Sequence, residues 1–206
     1  MANSDYIVHI VDDEEAVRQS LAFLLTVSGH AVRLHDSATV FLTLAPSIRN
    51  ACLVTDLRMP DMSGVELLRK LQTAAIDIPS IVITGHGDVP MAVEAMKAGA
   101  LDFIEKPFDD QTLLDAIERA AARISQVPAL EDNDAIHARL AQLTEREHQI
   151  MAGVVQGLAN KTIAYDLKIS PRTVEVHRAN VMTKMQAKSL PELVRMALSV
   201  KFGSEE

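Results

Sequence analysis

Five polar residues stand where short apolar segments of the chain end, and their types suggest phosphoryl chemistry. They are Asp12 and Asp13 after YIVHIV, Asp56 at the end of ACLVTD, Thr84 at the end of SIVIT, and Lys106 after LDFIE. Carboxylates that lie close together repel one another unless a cation lies among them, and Mg²⁺ typically binds through one or two carboxylates together with phosphate oxygens. Lys106 would balance an anion that arrives with the metal, and Thr84 could donate one hydrogen bond to it. The set fits a phosphoryl group carried on Asp56.

These residues meet only if the segments that carry them are neighbours in one parallel sheet. In residues 1–124, five β-rich segments alternate with five segments of helical spacing, such as the one in which Val17, Leu21, Leu24 and Leu25 share a face. The alternation predicts an α/β doubly wound, five-stranded parallel sheet of the flavodoxin-like type, with helices on both faces. Because the carboxyl ends of its strands share one edge, three carboxylates, a hydroxyl and an ammonium would converge there.

Each of these residues also has an ordinary structural interpretation. The run DDEE, residues 12–15, could be an N-cap followed by first-turn carboxylates that complement a helix dipole. A single aspartate at a strand end, such as Asp56, is often a turn residue, and a single lysine such as Lys106 is usually a solvated surface group. Suitable residues at four strand ends together favour a site over four separate coincidences.

Residues 5–124 resemble the receiver domain of two-component response regulators, through IVDDEE, VTDLRMPDMSGVELL, SIVITGHGD and GALDFIEKPF in that order. The resemblance implies that Asp56 accepts a phosphoryl group from a sensor histidine kinase. It also implies that Asp13, Asp56 and the Arg58 backbone carbonyl bind Mg²⁺, while Asp12 helps mainly through water.

By the same resemblance, Thr84 and Lys106 contact the phosphoryl oxygens, and Phe103 is the aromatic switch. Movement of Thr84 would open space for Phe103 to turn inward. The face formed by residues 89–97 and 101–105 would then change shape, so a local change of charge would become a signal at the surface.

The C-terminal third of the chain has a different charge. Residues 1–124 hold 18 acidic and 10 basic side chains, a net charge of −8, whereas residues 141–206 hold 7 acidic and 9 basic side chains, a net charge of +2. Six of these nine bases lie between Lys161 and Lys188. This asymmetry indicates an anionic partner for the C-terminal part alone.

From Thr144 onward the periodicity is helical only. Thr144 with Glu147 forms the signature of a capping box, and Asn160 and Ser170 are expected to cap the next two helices. A short helix, the turn KISP and a longer helix over 171–185 together match a helix-turn-helix.

The segment LTEREHQIMAGVVQGLANKTIAYDLKISPRTVEVHRANVMTKM resembles the LuxR-type four-helix DNA-binding domain, and the resemblance covers about residues 141–203. By this resemblance 171–185 is the recognition helix. The candidates near base edges are Thr173, Glu175, Val176 and Ala179, and the candidates at phosphates are Lys161, His177, Arg178 and Lys184. Val176, an exposed apolar residue on this helix, could meet a thymine methyl group. Arg178 lies nearer the packed side of the helix, so a structural role is equally open. A metal site at His177 is disfavoured because no second ligand stands at suitable spacing.

The chain is therefore divided into a receiver domain at 1–124, a linker at 125–140 and a small all-α helix-turn-helix domain at 141–206. The linker contains Pro128 and an acidic cluster. Helical spacing resumes at about Asp134, which leaves open whether this stretch is a spacer or the first helix of the next domain.

Both domains in this order resemble the FixJ/NarL class of response regulators. The resemblance implies a transcription activator of nitrogen-fixation genes that receives phosphate from a FixL-like sensor histidine kinase, binds double-stranded promoter DNA and acts with RNA polymerase. We expect the receiver to inhibit the DNA-binding domain, and phosphorylation to relieve this inhibition and promote a homodimer through the face at 89–105. The receiver would assist only its own phosphorylation and dephosphorylation, so no enzyme activity on a separate substrate is expected.

Two other functions remain open, and the location is expected to be the cytoplasm. The chain could be a constitutive DNA-binding protein whose receiver serves only for docking. It could also be a Mg²⁺-dependent phosphohydrolase, but Arg58 stands where a second acid would be needed two residues after Asp56. No apolar stretch reaches the about 18 residues that a membrane span needs, and the N-terminal residues lack the pattern of a signal peptide. A single cysteine, Cys52, excludes an internal disulfide.

Overall fold

The computed structural model describes residues 6–85, 88–125 and 133–202 of the 206-residue chain. The strands in this part are β1 Ile7–Val11, β2 Ala31–His35, β3 Ala51–Asp56, β4 Ser80–Thr84 and β5 Asp102–Glu105. The helices are α1 Glu15–Val27, α2 Ala38–Leu44 followed by the 3₁₀ turn Ala45–Ser47, α3 Gly64–Thr73, α4 Val89–Lys97, α5 Asp110–Ser125, α6 Asn133–Leu140, α7 Glu145–Gln156, α8 Asn160–Asp166, α9 Pro171–Met185 and α10 Leu190–Ser199. No helix in the described parts is long and apolar enough to cross a membrane.

All five strands are parallel and form one sheet in the order β2-β1-β3-β4-β5. The prediction of a doubly wound five-stranded parallel sheet is therefore confirmed. The register pairs Val11 with Thr55 and Thr84 with Glu105. The strands that precede Asp12, Asp56 and Lys106 consequently end at the same edge of the sheet.

The described residues divide into two compact units, 6–85 with 98–125 and 88–97 with 133–202. Strands β1, β3 and β4 bury nearly every side chain, as parallel strands covered on both faces must. One hydrophobic cluster of the first unit joins these strands to α1 and α5 through the buried residues Val8, Ile10, Leu21, Leu25, Cys52, Val54, Ile81, Ile83, Leu113 and Ile117. Burial raises the pKa of the Cys52 thiol to about 12, so this cysteine is an inert part of the core.

The second unit is helical throughout its described residues, and α7 to α10 form the predicted small all-α domain. Its core is built from Ile150, Met151, Val154, Ile163, Val174, Val181, Met185 and Leu193. Thr144 and Glu147 make both hydrogen bonds of a capping box at the start of α7, as predicted. Ser170 caps α9, also as predicted. The expected cap at Asn160 is wrong, because α8 begins at Asn160 itself after Ala159, and no side chain caps it.

The predicted linker is partly helical. Residues 126–132 lie outside the described residues, whereas Asn133–Leu140 form α6. The side chains of Ile136 and Leu140 are buried in the core of the second unit. The stretch that was left open as spacer or helix is thus a helix up to Leu140, and it packs with the helices that follow it.

Two buried histidines join β1 to β2. His9 Nδ1 lies 2.9 Å from His35 Nε2, the two rings are stacked with 7° between their planes, and Phe41 of α2 packs edge-on against both. Burial lowers the pKa of His9 to about 4, with further contributions from His35 and Arg33, and burial likewise lowers the pKa of His35. The pair is therefore neutral at pH 7 and shares one N–H···N hydrogen bond.

We expect acid to destabilise the first unit through this pair. The folded state holds the pKa of His9 below its unfolded value of 6.5, so the unfolded chain binds more protons as the pH falls from about 6.5 to about 4, and stability is lost across that window. Lowering the pH from 7 to 5 should reduce the free energy of unfolding by about 2 kcal/mol. Urea unfolding followed by the NMR signals of the β1 amides would measure this. In the double variant His9→Leu/His35→Leu the loss should shrink; an unchanged loss would assign it to other groups.

Gly64, the first residue of α3, packs directly against the end of β3. A Cβ atom at this position would lie 2.4 Å from the carbonyl oxygen of Asp56, and the Gly64 amide donates to the Leu57 carbonyl at 2.9 Å. Ser63 and Glu66 close the first turn of α3 with a capping box. The helix start and the strand end are thus held together at backbone distance, which only glycine permits here.

Gly64→Ala should therefore reduce the free energy of unfolding by about 1–3 kcal/mol, because the added methyl group must displace backbone. Gly85→Ala is the matched control, since a Cβ there meets nothing within 4 Å. Its effect should stay within about 0.5 kcal/mol. Urea unfolding of both variants tests the contact, and equal effects of the two substitutions would contradict it.

Candidate acidic site and candidate nucleic-acid interface

Lys106 joins two carboxylates at the carboxyl edge of the sheet. Its Nζ lies 2.9 Å from Asp56 Oδ1 and 3.4 Å from Asp12 Oδ2. Asp12 is nearly buried, whereas the Lys106 side chain retains a quarter of its exposure. The structure thus brings together three of the predicted site residues, which come from the ends of three different strands.

Burial sets the electrostatics of this cluster. Desolvation raises the pKa of Asp12, although the Glu14 amide and the Lys106 ammonium oppose the shift. Desolvation also lowers the pKa of Lys106, but its hydrogen bonds and charge interactions with Asp56 and Asp12 outweigh that effect and leave the pKa raised. A partly desolvated carboxylate pair with a single ammonium is an environment that favours additional positive charge.

Backbone groups fix both carboxylates. Asp12 Oδ1 accepts from the Glu14 amide at 2.8 Å, and its other oxygen faces Lys106. The N-cap of α1 is Glu14, and no side chain caps the helix, so the interpretation of Asp12 as a helix cap is wrong. Asp56 Oδ2 accepts from the Arg58 amide at 2.6 Å. Each carboxylate therefore has one oxygen oriented by the backbone and one that faces the ammonium.

Sequence reasoning missed two residues that hold this edge in place. Arg18 donates from Nη1 to the Asp12 carbonyl at 2.6 Å. Asp61 accepts from Ser37 Oγ and the Thr39 amide, each at 2.8 Å, which ties the loop after β3 to the start of α2. Desolvation raises the pKa of Asp61, but these hydrogen bonds outweigh it and leave the pKa well below its usual value. Arg18 could have been found, because a side chain one turn into a helix points back toward the helix N-terminus.

The remaining predicted residues of the site lie around the cluster with different exposures. Thr84 is buried, Phe103 is half-buried and Asp13 is exposed. The Lys106 amide donates to the Thr84 carbonyl at 2.7 Å, and a cis peptide bond joins Lys106 to Pro107. Within residues 6–85, 88–125 and 133–202, no group of three or more His, Cys, Asp or Glu side chains is arranged to hold a metal ion. The expected convergence of three carboxylates is realised here as two carboxylates joined by a lysine.

The predicted base-contacting residues lie on the outer side of α9. Val176 is 55% exposed, Glu175 and Ala179 are exposed, and Thr173 is half-buried. Arg172 forms a surface ion pair with Glu175 at 3.8 Å. This face of α9 can therefore present a methyl-bearing surface flanked by charges to a major groove.

The four predicted phosphate contacts differ in their surroundings. Lys161 is exposed. Arg178 is half-buried and donates to Asn160 Oδ1 at 2.7 Å, and Lys184 Nζ lies 2.7 Å from Glu147 Oε2. His177 is half-buried, and its Nδ1 has no hydrogen-bond partner among the described residues. Two of the four bases thus point to other helices of the same unit.

Two further residues of this unit were not singled out as functional from the sequence. Glu147 was predicted as a cap, but its second partner, Lys184, lies 37 positions away in the chain, and no local signal indicates that contact. Tyr165 of α8 is 83% exposed.

Comparisons with known proteins agree with the two parts of the chain. The family model for the response regulator receiver domain matches residues 8–118, and that for bacterial regulatory proteins of the luxR family matches residues 141–197. The transcriptional regulatory protein FixJ of Rhizobium meliloti is 68% identical over 201 residues, which cover 97% of this chain and 98% of that protein. FixJ of Azorhizobium caulinodans is 57% identical, with 93% and 91% covered.

A solved structure gives the same result. Full-length FixJ from B. japonicum is 48% identical, with a TM-score of 0.57, and the match covers 96% of this chain and 98% of that one. Members of this family regulate transcription and are not classical enzymes. The predicted resemblance and the predicted domain types are confirmed. The chain belongs to the FixJ family of two-component response regulators, transcriptional regulators with a receiver domain and a LuxR-type DNA-binding domain.

Proposed function

We propose that Asp56 is the phosphoacceptor and receives its phosphoryl group from a sensor histidine kinase in a Mg²⁺-dependent reaction. The observation that carries the proposal is the cluster at the sheet edge, in which Lys106 Nζ lies 2.9 Å from Asp56 Oδ1 beside the buried Asp12. A nucleophilic carboxylate, a second carboxylate and an ammonium are the groups that phosphoryl transfer to an aspartate requires.

The donor set fits Mg²⁺. Asp12 and Asp56 offer oxygen ligands at a site where burial raises the pKa of Asp12, and hard oxygen donors with access for water suit this ion. Asp13, Asp56 and the Arg58 carbonyl would hold it, while Asp12 would act mainly through water. Bound there, the ion would neutralise charge on the phosphoryl oxygens.

The residues of the chain position and balance the transfer. An oxygen of Asp56 attacks phosphorus in line, the bond from phosphorus to the imidazole nitrogen of the kinase breaks, and the electron pair returns to that imidazole. The product is an acyl phosphate on Asp56. Lys106, which contacts the free carboxylate, exchanges that partner for a phosphoryl oxygen, and the Thr84 hydroxyl donates to another.

The switch would follow from this exchange of partners. Thr84 is buried, so its movement toward the phosphoryl group changes the space available to Phe103 on the neighbouring strand, which is half-buried. The face at 89–97 and 101–105 then changes shape. To move the population from 1:99 to 99:1, the phosphoryl group must favour the active form by about 5.5 kcal/mol.

We propose that the output is activation of transcription. Unphosphorylated receiver would inhibit the DNA-binding domain, and phosphorylation would relieve this and promote a homodimer through the face at 89–105. A two-fold dimer would bind an inverted repeat in promoter DNA and act with RNA polymerase in the cytoplasm. The relatives named FixJ support nitrogen-fixation genes as targets and a FixL-like kinase as the donor. The boundaries at 1–124, 125–140 and 141–206, and the residues assigned to DNA other than Lys184, are part of this proposal.

Asp56→Asn should abolish phosphoryl uptake and phosphate-driven dimerisation, because the amide is not a nucleophile for phosphorus. Uptake from labelled acetyl phosphate with Mg²⁺ and sedimentation velocity of the full chain measure the two effects. Asp36→Asn is the matched control, an exposed carboxylate just after β2 with the same change of charge, and it should behave like the unmodified chain.

Two results would count against the proposal. Dimerisation of the Asp56→Asn variant in response to acetyl phosphate would remove Asp56 as the input. Equal affinity for duplex DNA at fixed salt with and without the phosphoryl donor would favour the constitutive DNA-binding protein with a docking receiver.

A further inference from the structure

Glu147 is a buried carboxylate in the DNA-binding domain, and its side chain is only 4% exposed. Its Oε2 accepts from the Thr144 amide at 2.8 Å and from Lys184 Nζ at 2.7 Å. These hydrogen bonds, that from Lys184 first, lower the pKa of Glu147 to about 2. One carboxylate therefore closes the first turn of α7 and binds the last turn of α9.

The C-terminal end of α9 is held at a second point as well. Arg139 of α6 donates from Nη1 to the Met185 carbonyl at 3.4 Å. Nearer the middle of α9, Arg178 donates to Asn160 of α8. The helix that carries the base-contacting residues is thus fixed by polar contacts to three other helices, and the contact with Glu147 is the one between opposite charges.

Lys184 cannot leave this contact for a phosphate without cost. Its departure would leave Glu147 as a buried charge whose remaining donor is a neutral amide, and a buried charge that loses its partner is strongly unfavourable. Lys161, by contrast, is exposed, and no ion pair with a buried carboxylate is found for it among the described residues. The two lysines, both assigned to phosphates by resemblance, therefore differ in what a DNA contact would require of them.

We propose that Lys184 and Glu147 form a positioning pair that sets the orientation of α9 toward DNA, and that Lys184 does not contact a phosphate. This inference rests on the proposed DNA-binding function. It replaces one predicted phosphate contact with an intramolecular role. It also predicts that Glu147, although acidic and buried, is needed for tight DNA binding.

Salt dependence separates the two roles of a lysine. Affinity for DNA falls as salt rises, and each phosphate contact adds about 0.9 to the magnitude of the slope of log affinity against log salt, which is called the slope below. Removing a lysine that contacts a phosphate therefore makes this slope smaller by about 0.9. Removing a positioning lysine lowers the affinity and leaves the slope unchanged. If the lysine and its partner act as a pair, either single substitution removes the whole contact. The double variant should then lose no more affinity than each single variant.

The experiment compares Lys184→Gln, Glu147→Gln and the double variant of the full chain, after incubation with acetyl phosphate and Mg²⁺, on random-sequence duplex DNA over a range of salt. Circular dichroism establishes that each variant is folded at the temperature used. Glu147→Gln keeps an acceptor for the Thr144 amide and removes the charge. We expect all three variants to lose roughly tenfold in affinity with the slope of the parent chain. Lys161→Gln is the control and should lower the slope by about 0.9.

Three results would overturn the inference. The first is a lower slope for Lys184→Gln, which would return this lysine to the phosphates. The second is additive losses in the double variant. The third is an unchanged affinity of the folded variants, which would reduce the pair to a stabilising contact. Absence of DNA binding by the parent chain would instead overturn the proposed function, and the inference with it.

Discussion

Parallel pairing of the strands forces two acidic residues and one lysine to share a small, partly desolvated volume. Asp12, Asp56 and Lys106 are far apart in the chain, but the register of the parallel strands brings the ends of β1, β3 and β5 to the same edge of the sheet. The carboxylates tolerate each other because the ammonium lies between them. The rest of the first unit serves this arrangement: α3 presses its first glycine against the end of β3, and Arg18 holds the backbone of Asp12.

In the second unit, contacts between residues that are far apart in the chain fix the position of a helix, α9. The proposed presentation of α9 to DNA requires that its outer face be held at a fixed orientation. Here polar contacts from α6, α7 and α8 reach α9 at separate points along its length. Arg178 and Lys184 of α9 therefore face other helices of the same unit, although both were predicted to contact phosphates.

The sequence carried the information for strands and helix starts, because these depend on local patterns. Two strands, at 51–56 and 80–84, agree with the predicted segments ACLVTD and SIVIT residue for residue. The sequence could not reveal the contacts of Arg178 with Asn160 or of Lys184 with Glu147. The partners in each pair are far apart in the chain, and their contact depends on how the helices cross. Asn160 shows the same limit, because its side chain accepts from Arg178 where local rules assign it to a cap.

The position of Lys106 has a consequence for the binding of cations. A divalent ion that approaches Asp12 and Asp56 meets carboxylates that are already paired with the Lys106 ammonium. The ion and the ammonium compete for the same two carboxylates. Any contact that draws Lys106 away therefore raises the affinity of the carboxylates for the ion, and by linkage a bound ion weakens their contact with Lys106. Under the proposed function, the concentration of divalent cation would therefore change how readily the lysine becomes available to a phosphoryl group on Asp56.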